Sequence, residues 1–482
     1  MTANDNLPRM NEDLVWRTAT ELASRIRERE VSPVEVVDAH LERISALNEA
    51  LNHFCLVIAD EARRAARASE QAMMRGADLG LLHGVPYALK DFTPTRGLTT
   101  TLGSRAYSQW VPDHDAPVVE RLRAAGGILL GKTLTPEFAY SGFTHSPLWG
   151  VARNPWDRAR NTGGSSGGSA GAVAAAMVPL AEGSDAGGSI RIPASFCGVV
   201  GFKPSLGRIP FHLTPNDFDP IWHVGPIARS VGDVATMFAV MQGPDERDPL
   251  SVVARAGGME SIASALAVEP EDMRLALSVD LGYYDIDPEV EANTRAAVEA
   301  LRAVGAEVNE VDLDWSAAIN RAWSQHWNVA LAALYGDVAA EHREVMDPEV
   351  VAMIEEGQRT NAVDLKRTEL LRSRQWEALR PVLEDHHALL CPTTAVTAPA
   401  AETTEAGYRR AAPSGRYAGY ELACPFNFIG QCPVVSVPSG ISSAGLPTGL
   451  QIVGRRLDDL TVLRIAGALE RVRPWASRRP NL

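Results

Sequence analysis

Residues 161–203 read NTGGSSGGSAGAVAAAMVPLAEGSDAGGSIRIPASFCGVVGFK and hold two serine-bearing glycine clusters, at 163–169 and 187–189. Glycine in such numbers costs backbone entropy and packs little, so fold stability accounts for it poorly. It suits backbone that turns sharply or comes close to a ligand. Serine among small residues is a candidate nucleophile for acyl transfer. Successive backbone N–H groups there are free to converge on the oxyanion formed at an attacked carbonyl.

Three readings of these serines compete. Gly163-Gly164-Ser165-Ser166-Gly167 matches the G-x-S-x-G elbow of α/β-hydrolases, but the polar, proline-broken NPWDRARNT precedes it instead of a buried strand. The histidine such an elbow needs late in the chain is also missing, His387 being the last. A glycine loop that merely packs tightly leaves the second cluster unexplained. The third reading is a pair of serines served by a lysine. HGVPYALKD at 83–91 reads as a turn into a short buried strand closed by Lys90. A lysine in that place ordinarily snorkels to the surface. Buried without a carboxylate partner, it would lose its charge and could act as a base. Strand alternation sends Asp91 to the opposite side.

The elements that must hold these groups alternate. Residues 14–75 read as helical: Ser32 and Glu35 form a capping box with Pro33 at the first helical position, and Val36, Val37, Leu41, Ile44 and Leu47 keep helical spacing. A second helix covers 60–75. Residues 116–132 read as helix then strand. They overlap G-x-x-x-x-G-K-T at 126–133, the letters of a phosphate-binding loop, but a helix precedes the first glycine and Pro136 follows the threonine, so a nucleotide site is rejected. The aromatic, turn-rich 135–155 can line a pocket. Residues 204–229 read as a proline-broken loop, with a helix opening at Ser230. A strand at 273–282 leads into a helix–strand unit. Residues 314–387 read as a charged helical insertion at the periphery that could cover an active-site mouth. Buried strands follow at 389–394, 433–440 and 449–454, then a helix over 462–471. This alternation argues for an α/β sandwich with a mixed sheet.

GGSSGGSAGAVAAAMVPLAEGSDAGGSIRIPASFCGVVGFKP resembles the signature of the amidase signature family, including the 24 positions between Ser165 and Ser189. GVPYALKD, GKTLTPEF, NPWD, GPIARSVGD, PFNFIGQCPVVSVPSG and LPTGLQIVG extend the resemblance over nearly the whole chain from residue 14. LWGVARNPWD and PWASRRPNL look most like the branch that hydrolyses the 6-aminohexanoate cyclic dimer.

The resemblance implies an α/β/α sandwich with a central mixed β-sheet flanked by helices, in one domain over 1–482. Its parts would be N-terminal helices at 14–75, a signature core at 80–310, the insertion at 314–387 and C-terminal strands and helix at 388–482. It assigns Ser189 as nucleophile, Ser165, after a cis peptide, as bridging serine, and Lys90 as base. The N–H groups of Ala186, Gly187, Gly188 and Ser189 would form the oxyanion hole; Ala186 stands where the family usually has Ile, Val or Thr. Ser166, Asp185 and Arg191 would hold the two loops together. Tyr140, Phe143, Trp222, Phe428 and Ile429 are the pocket candidates, giving a largely apolar, aromatic-lined site. The expected reaction is hydrolysis of the C–N bond in small amides: aryl or alkyl amides, anilides or oligoamides. Carbamate or ester hydrolysis on the same fold is one alternative. The glutaminase subunit of a tRNA-dependent amidotransferase is another. That branch binds glutamine with a carboxylate before the P-x-N motif, where this chain has Tyr420 and then Glu421. The mechanism calls for no metal and no cofactor.

Bulk properties narrow the partners. A formal net charge of −14 argues against nucleic acid or an anionic membrane surface. Five scattered cysteines without metal-ligand spacing read as free thiols in a reducing compartment. The polar start MTANDNLPRMNEDL lacks the apolar core of a signal peptide. A cytoplasmic enzyme acting on a small-molecule amide is expected, with a homodimer as an open option.

Overall fold

The computed structural model describes residues 9–482, with side chains from residue 12; the first eight residues of the polar start lie outside it. Among the described residues thirteen strands occur in chain order: β1 (Phe54–Val57), β2 (Pro86–Lys90), β3 (Ile128–Thr133), β4 (His145–Ser146), β5 (Gly150–Val151), β6 (Leu180–Asp185), β7 (Val200–Lys203), β8 (His223–Ala228), β9 (Arg274–Leu277), β10 (Glu307–Glu310), β11 (Ala388–Pro392), β12 (Val434–Ile441) and β13 (Pro447–Gly454). Eleven form one sheet in the order β1-β3-β2-β6-β8-β7-β12-β13-β11-β9-β10, and β4 pairs with β5 alone. The sheet is mixed: β3-β2-β6 and β11-β9-β10 run parallel, whereas β8, β7, β12 and β13 join antiparallel.

Alternation along the strands sends side chains to two buried faces. Leu180, Val200, Phe202 and Val224 pack with Val234 and Phe238 of helix Val231–Met241 and with Leu463 and Leu469 of helix Asp459–Val472. Ala88, Ala181 and Ile227 face the other way, toward helices Pro33–Leu51, Gly167–Ala174 and Arg191–Cys197. The sandwich of helices on a mixed sheet is therefore as expected. Among the described residues no helix is long and apolar enough to cross a membrane.

Several local expectations change. The N-terminal part is helical except for β1, entered through Asn52 in the left-handed region at the C-cap of Pro33–Leu51. The segment read as a proline-broken loop contains β8, fully buried mid-sheet, with Pro226 opposite Glu182. Proline cannot donate to a ladder, and that is why the sequence argues against a central strand there. Strand β9 is only four residues, because Asp280 accepts from the Gly282 N–H and turns the chain. Residues 128–133 are strand throughout, and only a three-residue 3-10 turn at Glu137–Ala139 follows, not the helix a phosphate loop requires. Residues 314–387 carry helices Ala318–His342, Pro348–Arg359 and Ala362–Asp385.

Candidate active site

Strand β2 ends on Lys90, which is fully buried. Its Nζ lies 2.6 Å from Ser165 Oγ and 2.9 Å from Ser184 Oγ. Burial lowers its pKa from 10.5 to about 7, against the opposing fields of Glu182 and Asp185. The amine has no carboxylate partner, although two carboxylates are near enough to oppose the shift. Glu182 is close, but its carboxylate accepts the Lys90 backbone N–H at 3.0 Å and the Thr93 hydroxyl at 2.9 Å, leaving the amine to the two serines. Asp91 does point away: it accepts the Thr101 N–H at 3.0 Å and the Thr101 hydroxyl.

The peptide between Gly164 and Ser165 is cis. A Cβ at Gly164 would lie 2.7 Å from Ser141 O, so only glycine lets this loop press against its neighbour. Strand β6 delivers the second cluster. The loops join through backbone, with the Ser166 N–H donating to Ser189 O at 3.1 Å and its hydroxyl to Ser184 O at 3.2 Å. The hydrogen bonds among the described residues connect Lys90 to Ser165; they do not include one between the Ser165 and Ser189 hydroxyls.

Asp185 organises the turn after β6. It accepts the Gly188 N–H at 2.7 Å, the Ile190 N–H at 3.1 Å and both arms of the fully buried Arg191 at 3.0 Å. Arg191 in turn donates to Gln451 and Asn427. Burial alone would push the Asp185 carboxyl up, yet the Arg191 guanidinium holds it well below the usual carboxylate range. One of the four expected oxyanion donors is already engaged: the Gly188 N–H is spent on Asp185, whereas those of Ala186, Gly187 and Ser189 meet no protein acceptor among the described residues.

Ser189 and Gly187 sit on the wall of a cavity of about 350 Å³ lined also by Tyr140, Trp323, Tyr408, Tyr420, Glu405 and Glu421. Of the five expected pocket residues only Tyr140 reaches it. Phe143 packs behind Tyr420 with ring centroids 4.6 Å apart. Trp222 is stacked between Phe92 and Phe211. Phe428 and Ile429 join the buried cluster around Leu379 and Val434. Each is an apolar side chain whose burial is completed by neighbouring core residues, leaving no surface for a ligand.

Residues 35–463 match the model of the Amidase family. The chain belongs to this family. Curated relatives include an acylamidase of Rhodococcus erythropolis, 37% identical and covering 97% of this chain and 98% of its own length. A glutamyl-tRNA(Gln) amidotransferase subunit of a Synechococcus strain is 35% identical, covering 96% and 98%. Among solved structures, a bacterial aryl acylamidase superposes with a TM-score of 0.90 at 30% identity, covering 97% and 99%. The 6-aminohexanoate cyclic dimer hydrolase, complexed with substrate, gives 0.86 at 32%, covering 97% and 99%.

In this Amidase family member, the unforeseen residues include Ser184 and Glu182 beside Lys90 and, on the cavity wall, several from late in the chain. Trp323, Trp327 and Asn328 lie on helix Ala318–His342 and Met353 on helix Pro348–Arg359, so these two helices form a wall of the cavity. Glu405 accepts the Ser141 hydroxyl, the Gly142 N–H and the Tyr420 hydroxyl. Glu421 accepts from Tyr417 and Asn320. Two carboxylates make the lining more polar than the apolar, aromatic site expected. Trp323 and Trp327, four apart on a helix, carry the signal of a core stripe, and nothing in their spacing separates a cavity wall from a core.

Proposed function

We propose that Ser189 cleaves the C–N bond of small amides through an acyl-enzyme, with Ser165 and Lys90 as its proton relay. The observation that carries this is the buried 2.6 Å contact of Lys90 Nζ with Ser165 Oγ, beside a loop that places Ser189 on the cavity wall. Ser189 Oγ attacks the amide carbon while its proton passes to Ser165 and the Ser165 proton passes to neutral Lys90. The carbonyl oxygen becomes an oxyanion facing the Gly187 and Ser189 N–H groups. As the C–N bond breaks, the relay runs backward and delivers the proton to the departing nitrogen. Water then attacks the ester, losing its proton to the same relay, and Ser189 is regenerated. No cofactor enters the scheme.

The aromatic walls support aryl and alkyl amides, anilides and oligoamides as substrates. Four buried free cysteines fit a reducing, cytoplasmic setting. The test is a panel of p-nitroanilides, primary amides including glutamine, esters, carbamates and cyclic and linear oligoamides, with acyl-enzyme trapping by mass spectrometry. Turnover of anilides or oligoamides with added mass on the Ser189 peptide is expected, and its loss in Ser189→Ala. Wild-type turnover in Ser189→Ala, or activity confined to glutamine, counts against the reading.

A further inference from the structure

Trp323 touches the loop that offers the oxyanion donors. Its indole N–H donates to Ala186 O at 2.9 Å. Its ring lies so close over Gly187 that a Cβ there would overlap Cζ2. The carbonyl of Ala186 and the N–H of Gly187 belong to one peptide unit. That unit is planar and trans, so its C=O and N–H point in opposite directions. A donor that fixes the carbonyl therefore fixes the line along which the Gly187 N–H points, and polarises the unit so that this N–H donates more strongly.

The helix that carries the indole is tied down one turn before it, and the ring itself is stacked one turn after it. One turn before it, Asn320 donates to Tyr284 at 2.7 Å and to Glu421 at 3.0 Å. One turn after it, Trp327 stacks on it at 5.7 Å with planes 11° apart. Trp327 packs on Trp222, Trp222 stacks on Phe92, and the Phe92 ring lies 5.7 Å from Lys90 Nζ. One aromatic column thus runs from the oxyanion loop to the base.

We propose that Trp323 is a positioning residue for the Gly187 oxyanion donor, fastening the inserted helix to the reaction centre. This rests on the Ser189 reading above. Loss of a whole oxyanion donor typically costs ~10²–10³ in rate. Trp323→Phe only releases the aim of one donor, so kcat should fall about tenfold with KM within about twofold, as for an interaction made in the transition state. Replacement by 3-benzothienylalanine keeps the bicyclic outline and removes only the N–H. The same loss of kcat in that variant is expected even where Trp323→Phe folds poorly. A loss carried by KM with kcat kept, or no loss in the benzothienyl variant, overturns the proposal and leaves Trp323 as a cavity wall. Wild type trapped without an acyl group on Ser189 overturns instead the reading underneath, so the two failures are told apart.

Discussion

On an amide substrate, kcat/KM should rise with pH along a one-proton limb centred on Lys90, whose pKa burial lowers to about 7, because only the neutral amine can accept the relayed proton. At its ordinary 10.5, roughly one lysine in three thousand would be neutral at pH 7. At the lowered value about half are, and at pH 6 about a tenth. The same shift acts on stability. Between about 7 and 10.5 the unfolded chain binds the proton that the folded chain has released. Folding is therefore favoured progressively as pH rises through that window, and the full penalty, on the order of 5 kcal/mol, is felt below it. Lys203 is also lowered to about 7 by burial, so a limb alone does not identify its owner. Glu182 separates Lys90 from Lys203: its field raises Lys90 and is not among the influences on Lys203. The other buried lysine that feels Glu182, Lys132, donates to Thr93 and Thr95 rather than to either serine of the relay. Glu182→Gln, which keeps an oxygen for the Lys90 N–H, should move the limb to lower pH. The assay is initial rate on a p-nitroanilide from pH 5 to 9 for both proteins. A flat wild-type profile, or a limb that Glu182→Gln leaves in place or raises, refutes the reasoning.

Ser184 gives the amine its second partner at 2.9 Å, so Ser184→Ala should lower kcat and Ser184→Thr, which keeps the hydroxyl, should restore most of it in steady-state assays. Arg191→Met leaves the buried Asp185 carboxylate without its cation, and removal of one partner from such a pair costs ~3–5 kcal/mol. A clear drop in the denaturant midpoint is expected, and an unchanged midpoint would show that the pair does not hold the turn.

The two glycine loops of the candidate site are the most legible part of this chain, because glycine there is dictated by close approach rather than by packing. Gly164 against Ser141 and Gly187 against Trp323 are positions no side chain can share with its neighbour. The fate of single N–H groups was not legible. Gly188 looks like its neighbours in sequence, and only the folded turn shows Asp185 taking its donor. Pro226 hid a central strand, since a rule about ladder donors outweighed the apolar flanks of β8. The cavity lining was least legible, because Tyr140, Trp323 and Glu405 are brought together by topology across more than two hundred residues and none carries a local signature.

The aromatic column also makes the protein its own optical probe. Of the ten tryptophans in the chain, Trp323 and Trp327 border the cavity and are stacked on each other, and Trp222 continues the column away from it. A nitroaromatic product held in the cavity is therefore expected to quench the emission of the two bordering indoles, whereas an aliphatic acyl group, which carries no chromophore, is not. Release of such a product should then be visible in the intrinsic fluorescence, without a label.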